Sequence, residues 1–163
     1  MTLKAPLPFV TDSVPKLILD TNIWLDWLVF TDTLITPIQH AVFDKTAHLV
    51  GTQTMCDELA DVLTRPYLSE RFAQRFDHID SAIAVWLEHT QLVEAAPCAT
   101  LRCKDADDQM FVDLALASTP TILVSKDRAV LSLAKRARRR GETLIIHPKD
   151  WPALVRDPEF AAP

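Results

Sequence analysis

Short apolar runs alternate with helical patterns along this chain, and that alternation restricts the fold more than any other feature. Lys16-Leu17-Ile18-Leu19 reads as a buried strand ending at Asp20. Thr21-Asn22 leads into IWLDWLVF (23–30), a helix apolar on almost every face except Asp26. Pro37 opens a second helix, IQHAVFDKTA, where proline is tolerated. His48 to Thr52 reads as a second strand. Thr54 begins a helix with Met55, Leu59, Val62 and Leu63 on one side, ended by Pro66. Residues 69–89 carry Phe72, Phe76, Ile79, Ile83, Trp86 and Leu87 at helical spacing, 92–94 a short strand, and 97–104 a loop. Asp105 to Asp108 opens a helix through Leu116. TILVS (121–125) is the clearest strand, and AVLSLAKRARRR (129–140) a basic helix closed by Gly141. Residues 144–147 form a last strand, and Asp150 stands where it caps a short terminal helix. The pattern predicts βαβ units: an α/β fold with a mainly parallel sheet and helices on both faces.

In such sheets ligands bind outside the carboxyl ends of the strands, and acids gather at those positions here. Asp20 and Asp127 follow strands, while Glu58 and Asp108 fall in the first turns of helices. Carboxylates brought together there form an oxygen-rich cage for a hard cation such as Mg²⁺ or Mn²⁺. Each acid also has a structural reading. Asp20 and Asp127 suit helix N-caps. Asp57, three residues after Thr54, matches a capping box, which assigns Asp57 to structure and leaves Glu58 as either a ligand or a solvated helix-face residue. Of Asp105, Asp107 and Asp108, one suits a cap, and a bound cation would relieve the repulsion among the three. Recurrence of strand end plus acid, at Asp20 and again at Asp127, favours the metal reading. Asn22 reads as a turn residue or as support for a metal-bound water.

The remaining composition narrows the classes. The chain has 163 residues, 48% of them hydrophobic, which fits one domain with a proper core. We expect residues 1–15 to be a flexible leader without an export signal and 16–163 to be a single domain. No apolar run is long enough to span a membrane. Two glycines exclude a Walker loop or a GxGxxG turn. Three cysteines without a CxxC pair and five scattered histidines argue against a disulfide framework or a zinc site, and a reducing cytoplasm fits best. A net charge of −5 argues against coating nucleic acid through a broad basic face, but not against a nuclease whose metal reverses the local field. Lys135, Arg136, Arg138, Arg139 and Arg140 read as a solvated helix end or as a patch for RNA phosphates. Lys126 is placed to touch a phosphate or to pair with a carboxylate. Trp24 and Trp27 read as core or interface, and Cys56 as a buried small hydrophobe.

Four segments, in order, resemble the motifs of PIN domains. LILDTNIWLDWL is similar to their opening strand and helix, TMCDELADVLTRPYL to their second acidic motif, CKDADDQMFVDLALAS to the Asp-rich third, and TILVSKDRAVLSL to the fourth, where Ser125 stands in place of the commoner threonine. The resemblance covers residues 16 to 148. It implies a Rossmann-like three-layer α/β/α sandwich and an Mg²⁺- or Mn²⁺-dependent ribonuclease acting on single-stranded RNA. Its site would comprise Asp20, Glu58, Asp108 and Asp127, with Asp105 as a fifth acid. It also implies a homodimer and, for the toxin branch, a cognate antitoxin protein.

Two rival readings stand beside this one. The first is a non-catalytic PIN-like module that holds RNA or protein. The second is a phosphatase of the haloacid dehalogenase type, which wants a second acid two residues after the first, where this chain has Asn22.

Overall fold

Five strands form one all-parallel sheet in the computed structural model, which describes residues 14–141 and 143–156. Residues 1–13, most of the expected leader, lie outside the described residues. The strands are β1 (Lys16–Leu19), β2 (His48–Gly51), β3 (Thr90–Leu92), β4 (Thr121–Val124) and β5 (Thr143–Ile146), in the order β3-β2-β1-β4-β5. β1 is central. The chain moves outward to β2 and β3, then returns across β1 to β4, so the strand order reverses between β1 and β4. In register there, Leu19 lies opposite Val124, which sets Asp20 beside Ser125. β1 and β4 are almost wholly buried because helices cover both faces, as their unbroken apolar runs require.

The helices are α1 (Thr21–Leu25), α2 (Thr36–Phe43), α3 (Gln53–Leu63), α4 (Ser69–Ala73), α5 (Ile79–His89), α6 (Gln109–Ala117), α7 (Arg128–Leu131), α8 (Ala134–Arg139) and α9 (Trp151–Arg156). α1 packs on β1 and α3, and α3 on α5. For this strand order the right-handed rule for parallel crossovers sets the helices before β3 on one face and those between β3 and β5 on the other. α6 packs on β4 and β1, α8 on β5, and α9 against α2. This is the expected α/β/α sandwich. Trp24 and Trp27 stack at 4.9 Å between centroids and are buried, so the apolar first helix is core. Gly51 lets Trp86 lie against β2: a Cβ there would come within 2.6 Å of the indole.

Several element boundaries differ from the sequence expectation, each for a local reason. The first helix changes at Asp26 into a π-helical turn, Asp26–Phe30, ended by Thr31 in the left-handed region at φ 50° and ψ 45°. α3 starts one residue early: Thr52, not Thr54, accepts the Met55 amide, and Asp57 takes a side-chain bond from Gln53. The expected helix over 69–89 is two helices, because the Arg75 and Phe76 amides both turn back to Phe72 and His78 is extended. The basic helix breaks after Leu131, where the Ser132 hydroxyl bonds back to the Ala129 carbonyl and competes with the helix ladder. β3 begins at Thr90 directly from α5, two residues before the expected strand.

Candidate metal centre

The switch point between β1 and β4 is where the acids converge. Asp20 ends β1 and caps α1, its Oδ1 accepting the Ile23 amide at 3.0 Å. Capping and site membership are therefore compatible at this residue. Its Oδ2 accepts a hydrogen bond from the Ser125 hydroxyl, and Ser125 Oγ in turn accepts the Asp127 amide at 3.0 Å. The next residue, Thr21, donates its hydroxyl to Glu58 Oε2, which draws α3 toward the end of β1.

Asp105, Asp108 and Asp127 each present a carboxylate oxygen, and these three atoms lie within 4.8 Å of one another. Asp127 reaches the group as the N-cap of α7, accepting the Ala129 amide at 2.7 Å. Asp105 caps the turn Ala106–Asp108, accepting the Asp107 amide at 3.0 Å, and so delivers Asp108 to the start of α6. The motif resemblance gives Asp105 only as a fifth acid. The group whose oxygens lie within 4.8 Å contains Asp105 together with Asp108 and Asp127, and the two Asp20 oxygens accept from Ile23 and Ser125.

The loop leading to Asp105 is pinned by two buried polar residues of α6 that the sequence reading did not single out. Gln109 accepts the Cys103 amide at 2.6 Å and donates to the Leu101 carbonyl at 2.9 Å and to Asp113 at 2.8 Å. Asp113 also accepts the Ala99 amide at 2.8 Å. Two polar residues four apart on an otherwise apolar helix were the signal available for them.

Crowding of like charges has a clear electrostatic result. The Asp108 carboxyl is pushed up to about 7, first by burial, then by the charges of Asp127, Asp105, Asp20 and Glu58. All five acids therefore act within one electrostatic field. Asp20, only 2% exposed, is pushed up to about 6. Burial is the main cause, opposed by the Ser125 and Ile23 hydrogen bonds and reinforced by Asp127 and Asp26.

The other expected site residues fall elsewhere. Asn22 is exposed in the first turn of α1. Lys126 pairs with Asp26 at 2.6 Å and with Asp32 at 2.7 Å. Arg138 and Arg139 lie in the last turn of α8, which leads to the start of β5. They therefore sit toward the amino ends of the strands, whereas the acids gather at the carboxyl ends.

A parallel α/β domain with a cluster of carboxylates at its switch point has the donor set to hold a divalent cation. A family profile for the PIN domain matches residues 16–129, a stretch that holds all five acids. The chain belongs to the PIN domain family, whose members are generally nucleases. No curated protein matches it at a significant level. Among the described residues no helix is long and apolar enough to cross a membrane.

Proposed function

We propose that this chain is a metal-dependent endoribonuclease that hydrolyses phosphodiester bonds in single-stranded RNA. The observation that carries this reading is the approach of Asp105, Asp108 and Asp127 to within 4.8 Å. Their donor atoms are all carboxylate oxygens, the chemistry suited to Mg²⁺ or Mn²⁺. The Asp108 carboxyl, pushed up to about 7 by its neighbours, supports the fit, since a cation removes the repulsion that causes the rise.

Asp105, Asp108 and Asp127 would hold the ion, with Asp20 and Glu58 completing the acidic wall. When bound, a cation of this kind activates water for in-line attack and offsets charge on the phosphate. Ser125 fixes Asp20 and Thr21 fixes Glu58, so both carboxylates are oriented before substrate arrives. Without a cation the pocket repels an RNA backbone, which makes cleavage strictly metal-dependent. Arg138 and Arg139 would bind only more distant phosphates of a long RNA. The motif resemblance supports a cytoplasmic toxin with a cognate antitoxin. The half-exposed Phe43, Leu87 and Leu92 support a homodimer contact.

Digestion of single-stranded RNA by the wild type and Asp108→Asn, with Mn²⁺ or with EDTA, tests this reading. Cleavage is expected only from the wild type with metal. Equal cleavage by Asp108→Asn in a contaminant-free preparation overturns it. RNA retention without product selects the binding-module alternative.

A further inference from the structure

Three consecutive residues after β4 face three different partners. Ser125 holds Asp20, and Asp127 joins the acidic group with Asp105 and Asp108. Between them Lys126 reaches back to the segment that follows α1. Its Nζ lies 2.6 Å from Asp26 Oδ2 and 2.7 Å from Asp32 Oδ2. The Lys126 side chain is 30% exposed and that of Asp26 only 12%, so the pair is partly shielded from solvent.

The chain builds this clamp deliberately at the level of backbone. Asp26 starts the π-helical turn, and its carbonyl accepts the amides of both Thr31 and Asp32, the latter at 3.0 Å. Left-handed Thr31 reverses the chain between them. The wider turn brings Asp32 back beside Asp26, so that two carboxylates six residues apart meet at one ammonium. Asp32 is itself fixed, its Oδ1 accepting the Leu34 amide at 2.9 Å while its Oδ2 faces Lys126. π-helical turns inside helices are often found at functional sites.

We propose that Lys126 is a positioning residue of the acidic centre: clamped by Asp26 and Asp32, it sets the backbone of 125–127 so that Ser125 meets Asp20 and Asp127 meets Asp105 and Asp108. This inference rests on the metal-site reading above, and it assigns Lys126 no contact with RNA. It makes a signed prediction. On charge alone, losing a cation beside the pocket would tighten binding of a divalent ion. Loss of the clamp would weaken it, because residues that orient metal ligands typically contribute about 10- to 100-fold in affinity.

The test is calorimetric titration of Mn²⁺ into the full chain, paired with RNA cleavage rates, for the wild type, Lys126→Met, Lys126→Arg and Asp26→Asn/Asp32→Asn. Circular dichroism and thermal melting in EDTA establish which variants fold. Lys126→Met is expected to bind Mn²⁺ at least roughly tenfold more weakly, with Lys126→Arg recovering most of the loss. Unchanged or tighter Mn²⁺ binding by Lys126→Met overturns the proposal. So does faster cleavage by the Asp26→Asn/Asp32→Asn chain at unchanged Mn²⁺ affinity, which would make Lys126 a masked phosphate contact. Should Lys126→Met not fold, Asp26→Asn and Asp32→Asn singly give the same readouts, and wild-type Mn²⁺ affinity in both overturns the proposal. A wild type that binds Mn²⁺ but never cuts RNA removes the nuclease reading alone, and the clamp is still judged from the titration. A wild type that does not bind Mn²⁺ removes both.

Discussion

The Ser125 hydroxyl donates to Asp20 Oδ2 across 105 positions of sequence, joining the ends of two adjacent parallel strands. Because the same oxygen accepts the Asp127 amide, one buried hydroxyl orients two acids of the centre. Ser125→Ala removes both bonds. A hydrogen bond to a charged group contributes about 1.5–3 kcal/mol, so cleavage at neutral pH is expected to fall roughly 10- to 100-fold. The Asp20 carboxyl should rise further, moving the acidic limb of the pH–rate profile upward. Ser125→Thr keeps the hydroxyl and should retain most activity. A pH–rate profile of Ser125→Ala identical to the wild type would contradict this account.

Metal-free protein should lose stability as pH rises through the acidic range because of Asp20. Its carboxyl titrates near 3.8 when unfolded and about 6 when folded, so between those values the folded state binds more protons. The folded form is therefore favoured below about pH 4 and penalised fully above about 6. Asp108, pushed up to about 7, extends the same trend toward neutrality. His147 opposes it, since burial and nearby lysines lower its pKa. Comparing Asp20→Asn with the wild type at each pH isolates the Asp20 contribution. Melting in EDTA from pH 5 to 8 should show the variant gaining on the wild type as pH rises. With Mn²⁺ present the order should reverse near pH 8, because a bound cation stabilises the ionised carboxylates and removes the repulsion that penalises them. A constant difference across the range would refute this assignment.

Much of this architecture was legible from alternation alone. Strands at 16–19 and 121–124 announced themselves as apolar runs, and a parallel sheet requires its ligands at their carboxyl ends. Asp20 and Asp127 followed from that rule. The helix breaks near 74–78 and after Leu131 were not legible, because neither is marked by proline or glycine and the apolar spacing runs through both. Thr21 and Gln109 were hidden for another reason. Their work lies in contacts 37 residues distant, to Glu58, and in a loop whose path no local propensity specifies. The π-helical turn at Asp26 was invisible because its residues, Trp27, Leu28 and Val29, carry the same apolar pattern as an α-helix.

Gln109 should matter for stability and metal affinity together, although it touches no acid of the oxygen group. It is 7% exposed and satisfies the Cys103 amide, the Leu101 carbonyl and one oxygen of Asp113. Gln109→Ala leaves the Cys103 amide and the Leu101 carbonyl without this partner, while Asp113 keeps the Ala99 amide, and each orphaned buried group costs about 1–3 kcal/mol. Chemical denaturation should therefore report a loss on the order of 3 kcal/mol, moderated where water enters the gap. Gln109→Glu distinguishes the individual bonds. It can still accept the Cys103 amide, but it loses the donor to Leu101 and sets a second carboxylate against Asp113. Loosening of residues 99–103 would free Asp105 from its place near Asp108 and Asp127, and Mn²⁺ affinity should fall with it. Hydrogen exchange at the Cys103 amide gives the local readout. Wild-type protection there in Gln109→Ala would show that the loop is held by something other than Gln109.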